Sequence, residues 1–136
     1  VLDTEVFAET WLPGHEYTTA MLDGRVLPII RLEVPGGFYD YDAKYVGEQT
    51  RYLLPCGLDA AAEQAMQELS LQAFNALGAS GWGRVDLRCD QHGQPHLLEI
   101  NTVPGMTDHS LVPMAAKHAG LSFEQLVLAI LETTTR

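Results

Sequence analysis

The sequence predicts an α+β fold, an antiparallel β-sheet packed against helices, in one domain covering residues 1–136. Three observations carry that expectation. Short strand-like runs crowd the first part of the chain around the turn dipeptide Asp23-Gly24, and one long segment with helical spacing fills residues 59–77. Two further strand-like runs, within residues 82–101, then lead into two segments that open on helix caps. With 46% hydrophobic and 19% charged residues, 136 residues can bury a sizeable core.

The elements follow in order. Val6 to Leu12 reads as a short strand, Pro13-Gly14 as a turn, and Glu16 to Leu22 as a second strand rich in Thr and apolar residues. Asp23-Gly24 supplies the positive φ angles of a tight hairpin turn. Arg25 to Glu33 continues as a third strand, in which Pro28, having no N–H to give to a ladder, marks an edge or a bulge. From Val34 to Thr50 the pattern breaks into Pro-Gly-Gly and then the aromatic and acidic run Phe38 to Tyr45; so long a loop in a compact domain reads as a functional lid or a disordered segment. A strand near Arg51 to Leu54 comes next.

Asp59 N-caps a helix that runs to about Leu77 and stops at Gly78, with Met66, Leu69, Ala73, Phe74 and Leu77 on its buried face. Trp82 to Cys89 and Pro95 to Asn101 are two strands joined around His92-Gly93. Two helices finish the chain. Ser110 caps the first, which ends at Gly120; the Ser122 to Gln125 capping box opens the second, whose buried stripe is Phe123, Leu126, Val127, Ile130 and Leu131.

Composition excludes some functions. Eight Lys and Arg against 18 Asp and Glu give a net charge of -10, which disfavours a nucleic-acid partner because phosphate contacts need clustered cations. No apolar run is long enough for a membrane span, so no membrane partner is expected. Cys56 and Cys89 lack metal spacing and fit a reducing cytoplasmic location. The five histidines lack zinc spacing; only His109, beside Ser110, stands in a suggestive place. The opening Val1-Leu2-Asp3, without Met, reads as a piece of something larger.

Side chains alternate along strands, so Arg84, Asp86 and Arg88 share one face, while Glu99 and Asn101 share a face of the next strand. A four-residue loop, Gln91 to Gln94, would set Asp86 opposite Glu99. Two carboxylates ~4 Å apart repel by about 4 kcal/mol at a protein's effective dielectric, so something cationic must offset them. One solution is a hard divalent ion held by the oxygens of Asp86, Glu99 and Asn101. The other is Arg84 and Arg88, with no metal at all.

The run Val103-Pro104-Gly105-Met106-Thr107 leads to Ser110 at a helix start, where free N–H groups and the dipole favour an anion. Gly105 permits close backbone approach, and Arg84 could make charge-assisted bonds to a developing oxyanion. The plain alternative is that Ser110 is a cap and Gly105 a turn. Lys44 could reach a phosphate and Tyr45 could gate a pocket, against the commoner outcome of a solvated loop. Glu9 and Glu16 flank the Pro-Gly turn, where a solvent-facing carboxylate is the ordinary reading.

Four segments together resemble the C-terminal part of the D-alanine–D-alanine ligases, in the ATP-grasp superfamily. They are Glu9 to Glu16 (ETWLPGHE), Phe38 to Tyr45 (FYDYDAKY), Gly81 to Asp86 (GWGRVD) and Leu98 to Leu111 (LEINTVPGMTDHSL). They span nearly the whole chain in family order. The resemblance implies the C-terminal lobe of an ATP-grasp fold, from an ATP-dependent, ADP-forming ligase. That enzyme would join two D-alanines into D-alanyl-D-alanine through an acyl phosphate, for peptidoglycan, cell-wall synthesis and cell shape.

Residue roles also follow from the resemblance. Glu9 and the backbone near Leu12 would hold adenine, and Glu16 the ribose hydroxyls. Asp86, Glu99 and Asn101 would bind two Mg²⁺ ions, with Mn²⁺ as a substitute. Lys44 would touch the γ-phosphate, and Tyr45 would favour D-alanine over D-lactate as the second substrate. Arg84 and the Gly105 amide would stabilise the tetrahedral intermediate, while Ser110 and Leu111 hold the second substrate's carboxylate. The full-length protein would be a cytoplasmic homodimer.

Thr10 departs from the family, standing where many relatives carry a charged residue. The family's N-terminal substrate domain and central ATP-binding lobe have no counterpart in these 136 residues, so the chain alone is expected to be a fragment without activity. The competing readings are another ATP-grasp carboxylate–amine or D-lactate ligase, and a non-catalytic domain that binds a divalent cation.

Overall fold

A computed structural model describes residues 5–33 and 50–135 of the chain. The strands are β1 (Glu16–Leu22), β2 (Arg25–Val26), β3 (Ile30–Glu33), β4 (Arg51–Leu53), β5 (Trp82–Cys89) and β6 (Pro95–Asn101). The helices are α1 (Ala60–Ala76), α2 (Leu111–His118) and α3 (Phe123–Thr133). All strand pairs are antiparallel, in the order β4-β3-β1-β5-β6, with β2 also on β1. The fold is α+β, as the sequence predicts.

β1 is the central strand, and six of its seven residues are buried. The cause is a cover on both faces. On one, Met66 and Phe74 of α1 pack against Tyr17, Met21, Val85 and Leu87. On the other, Val112, Ala115 and Ala116 of α2 and Leu126 of α3 pack against Ala20, Leu22 and Ile30.

Local chemistry explains the ends of the elements. Asp23 and Gly24 adopt φ of 49° and 74°, the positive pair that a two-residue turn between Leu22 and Arg25 needs. Asp59 caps α1 by accepting from Ala62 N at 2.8 Å. At α3 both arms of the capping box are present, Ser122 Oγ accepting from Gln125 N and Gln125 Oε1 from Ser122 N.

Four expectations change. Residues 6–12 form no strand: Val6 and Phe7 are largely exposed, and ladder-like bonding to β5 begins only where Gly14 N donates to Cys89 O. The third strand is broken at 27–29 into β2 and β3, where Pro28 interrupts donation, yet β3 is not an edge because it pairs with both β1 and β4. In α1, Leu77 is the C-cap and exposed, while Ser70, which the apolar pattern passes over, is buried. In α3 only Leu126 of the expected stripe is fully buried, and Phe123, Val127 and Leu131 are exposed. The loop expected over 34–50 falls outside the described residues but for Thr50. Among the described residues no helix is long and apolar enough to cross a membrane.

Candidate functional site

The helices of the second face pack over Ala20, Leu22 and Ile30. From Ala20 toward the other end of β1 the same face carries mostly polar side chains in cross-strand rows, because paired residues share a face. One row is Glu16, Arg88 and His96; the next is Thr18, Asp86 and Glu99; the third is Ala20, Arg84 and Asn101. The rows succeed one another at roughly 7 Å, two residues of strand rise.

Asp86 does lie opposite Glu99, though by a different route from the one the sequence suggests. Cys89 pairs with Pro95, which makes the connecting turn one residue longer than Gln91 to Gln94. An irregularity then resets the ladder: Leu87 faces Leu97 while Asp86 faces Glu99, so Leu98 is the extra residue of a β-bulge. Without that bulge, Glu99 and Asn101 would turn to the α1 face.

Asp86 is well held. Its Oδ1 accepts from Arg84 Nε at 2.8 Å and from Thr18 Oγ1 at 2.6 Å, and its Oδ2 accepts from Arg84 Nη2 at 2.6 Å. The bonds to Asp86 raise the Arg84 pKa against the effect of burial, with the charges of Asp86, Glu99 and Glu16 adding to the shift. Thr18 is a site residue that sequence reading missed. Its signal is alternation with Glu16, but the β1–β5 pairing that makes it useful joins residues far apart in the chain.

Glu99 differs: it is exposed and makes no hydrogen bond or ion pair to another described residue. Asn101 Oδ1 accepts from Val103 N at 3.1 Å, at the start of the following loop. Two carboxylates and an amide oxygen, one carboxylate bare, form a donor set that suits a hard cation. No group of three or more His, Cys, Asp or Glu with metal-binding geometry occurs among the described residues, so the amide and outside oxygens would have to complete the shell.

At the loop's end Ser110 occupies the N-cap position of α2 without capping it. Its Oγ turns back, accepting from Thr107 N at 2.9 Å and lying 2.8 Å from Thr107 Oγ1. The α2 amides are thereby left to another acceptor. A Cβ on Gly105 would meet Ser110 Oγ at 3.0 Å, so the glycine lets the loop close on the serine.

At the other end of the open face, residues 9–12 border a cleft of about 410 Å³, lined among others by Glu9, Trp11, Leu12, His96 and Leu98. Trp11 lies beneath the Arg88 guanidinium, 5.0 Å from ring centroid to Cζ. Arg88 Nη1 reaches Glu16 Oε2 at 3.5 Å. Thus Glu9, Leu12, Glu16, Asp86, Glu99, Asn101, Arg84, Gly105, Ser110 and Leu111 belong to the polar part of this face, its flanking cleft and the loop leading to α2. Lys44 and Tyr45 lie outside the described residues.

An antiparallel sheet between helices, with an acidic row and an uncapped helix start on one face, is the α+β arrangement found in solved D-alanine–D-alanine ligases. The chain belongs to the family described as "D-ala D-ala ligase C-terminus", whose model matches residues 1–132. It is 65% identical over 134 residues to the D-alanine–D-alanine ligase of Nitrosococcus oceani, covering 98% of this chain and 42% of that protein. The D-alanine–D-alanine ligase of Bacillus anthracis superposes with a TM-score of 0.81 at 37% identity, over 94% of this chain and 42% of that one. Its complex with ATP gives a TM-score of 0.78 at 32% identity, over 94% and 40%. The chain therefore spans less than half the length of the relatives it matches.

Proposed function

We propose that this chain acts as the C-terminal lobe of a longer ATP-dependent ligase that joins two D-alanines into D-alanyl-D-alanine, as a homodimer in the cytoplasm. The observation that carries the reading is the facing pair Asp86 and Glu99, with Glu99 unbonded among the described residues and Asn101 one row on, between a cleft and an uncapped helix start. High identity to a named D-alanine–D-alanine ligase, and a fold shared with one complexed with ATP, support it.

On this reading the base of ATP lies in the cleft near Glu9 and Leu12, its sugar at Glu16, and its phosphates over the Asp86 row. Mg²⁺ held by Asp86, Glu99 and Asn101 would neutralise phosphate charge during transfer. The carboxylate of the first D-alanine attacks the γ-phosphorus; a new carboxyl O–P bond forms, the bond to the β-phosphate oxygen breaks, and ADP leaves. The amine of the second D-alanine then attacks the acyl carbon, the carboxyl C–O bond to phosphate breaks, and inorganic phosphate and a proton depart.

The chain's own residues mainly position and polarise. Arg84 and the Gly105 amide stand for the oxyanion of the tetrahedral intermediate. Ser110, Leu111 and the start of α2 stand for the carboxylate of the second D-alanine. Lys44 and Tyr45 are proposed for the γ-phosphate and the choice of second substrate. Apart from the N-terminal lobes of its relatives, the chain is proposed to be inactive.

The close Arg84–Asp86 pair favours a second reading, in which the acidic row is neutralised without metal and the site is idle. Titrating Mg²⁺ with ATP and D-alanine into the full-length ligase carrying this sequence separates the two. Mg²⁺-dependent release of ADP and dipeptide supports the first; nucleotide binding indifferent to Mg²⁺, with no product, leaves the second. Light scattering on the same protein tests the dimer.

A further inference from the structure

The row nearest the cleft holds a feature that the reaction as outlined leaves unused. Arg88 and Glu16 are cross-strand partners, but their contact is a long 3.5 Å between Nη1 and Oε2 only. An arginine facing a carboxylate at this register can make a two-pronged, shorter pair. Instead the guanidinium lies over the Trp11 indole, and its Nε is buried with no hydrogen-bond partner among the described residues. The indole therefore backs the cation, and the cation touches the carboxylate with one prong. Glu16 Oε1 accepts no hydrogen bond from a described residue, and the other cross-strand neighbour of Glu16 is the apolar Leu32.

A salt bridge whose only purpose was to hold the strands together would engage both oxygens. This arrangement holds one carboxylate oxygen from the side and leaves the other without a donor among the described residues. We propose that Trp11 and Arg88 are positioning residues: the indole fixes the guanidinium, and the guanidinium fixes Glu16 so that its free oxygen accepts from the sugar hydroxyls of the bound nucleotide. The inference rests on the nucleotide reading of the open face and adds two residues to it. It also accounts for an aromatic side chain that stays largely exposed beside the cleft.

The test uses the full-length ligase carrying this sequence, with ATP, 2′-deoxy-ATP and 3′-deoxy-ATP as nucleotides. Arg88→Met and Trp11→Ala are each expected to raise the KM for ATP about tenfold, the worth of one charge-assisted hydrogen bond. The KM for the deoxy analogue lacking the contacted hydroxyl should stay within about twofold, as should kcat and the KM for D-alanine. Trp11→Phe should restore most of the loss, since a ring remains to carry the cation. Glu16→Gln should show the same discrimination between ATP and the analogue, and its effect should not add to that of Arg88→Met.

Equal effects of Arg88→Met on ATP and on both analogues, or a loss carried by kcat, would overturn the positioning role while leaving the nucleotide site standing. A Glu16→Gln variant that treats ATP and both analogues alike would remove the nucleotide reading of Glu16 and the proposal with it. Circular dichroism of Arg88→Met checks the fold; should it unfold, Arg88→Lys, which keeps the charge without the planar stack, is expected to fall between wild type and Trp11→Ala.

Discussion

Asp86 and Glu99 face each other across β5 and β6, yet of the two only Asp86 is paired with a cation among the described residues. Arg84 grips it with two prongs and Thr18 adds a third bond, whereas Glu99 makes no hydrogen bond to a described residue. If the pair serves a metal, Glu99 is the carboxylate that gains a partner when the ion arrives. Glu99→Gln in the full-length ligase should therefore lower kcat/KM roughly 100-fold, or about 2.7 kcal/mol, and shift the Mg²⁺ requirement upward. Wild-type turnover at ordinary Mg²⁺ would remove Glu99 from the metal site.

The same asymmetry predicts opposite effects on stability. Asp86→Asn leaves the Arg84 guanidinium, 19% exposed, without its anion, and should cost about 2 kcal/mol. Glu99→Gln removes a like charge and breaks no bond, so the midpoint of unfolding should hold or rise slightly. Urea titration of the two variants side by side reads the difference, and equal losses would contradict the assignment of Arg84 to Asp86.

Gly105 and Ser110 are coupled by contact. A methyl at 105 would sit 3.0 Å from Ser110 Oγ, which Thr107 N already holds, so the hydroxyl or the loop must move. Gly105→Ala in the full-length ligase should raise the KM for D-alanine about tenfold and leave that for ATP unchanged, as expected when one positioning bond is lost. A change confined to ATP would place the loop in the nucleotide half of the site.

Much of this architecture was legible in the chain because its signals are local. The Asp23-Gly24 turn, the Asp59 cap, the Ser122 box and the alternation along β5 and β6 each involve residues within a few positions of one another. What stayed hidden depends on pairing across long separations. Nothing near Thr18 announces that Asp86 will lie beside it, nor does any local pattern around Ser70 reveal its bond to Thr19 across the α1–β1 interface. The Leu98 bulge is hidden for a related reason: turn length and bulge offset each other, so the apolar pattern alone could not separate them. Residues 6–12 misled because their apolar side chains imitate a strand's pattern without a neighbouring ladder.

Packing between α1 and β5 makes another prediction. A Cβ on Gly83 would lie 2.6 Å from Phe74 Cε2 and 3.0 Å from the Asn101 carbonyl oxygen, so even one methyl overfills the gap. Gly83→Ala should destabilise the chain by about 1–3 kcal/mol. Phe74→Leu made in the same molecule opens space on that side, so the double variant should lose less than the sum of the singles. Strict additivity in urea unfolding would mean that the strand, and not the ring, takes up the strain.

Alkaline pH should weaken the fold through three groups on one face of the sheet. Burial raises the pKa of Cys56 and Cys89 above their ordinary 9.0, and that of Tyr17 above 10.0, with the Cys89 charge adding to the Tyr17 shift. An acid that holds its proton more tightly when folded contributes stability that is complete below its unfolded pKa and is lost as pH rises through its folded one. The urea midpoint of this chain should thus be level near pH 7, well below the thiols' ordinary value, and fall steadily as pH rises past that value. The thiols should resist a neutral disulfide reagent at pH 8 in the native state and both react in urea, since a buried thiol is neither ionised nor reachable. Replacing both cysteines by alanine should defer the alkaline decline to the range where Tyr17 ionises, and an unchanged onset would show that other groups drive it.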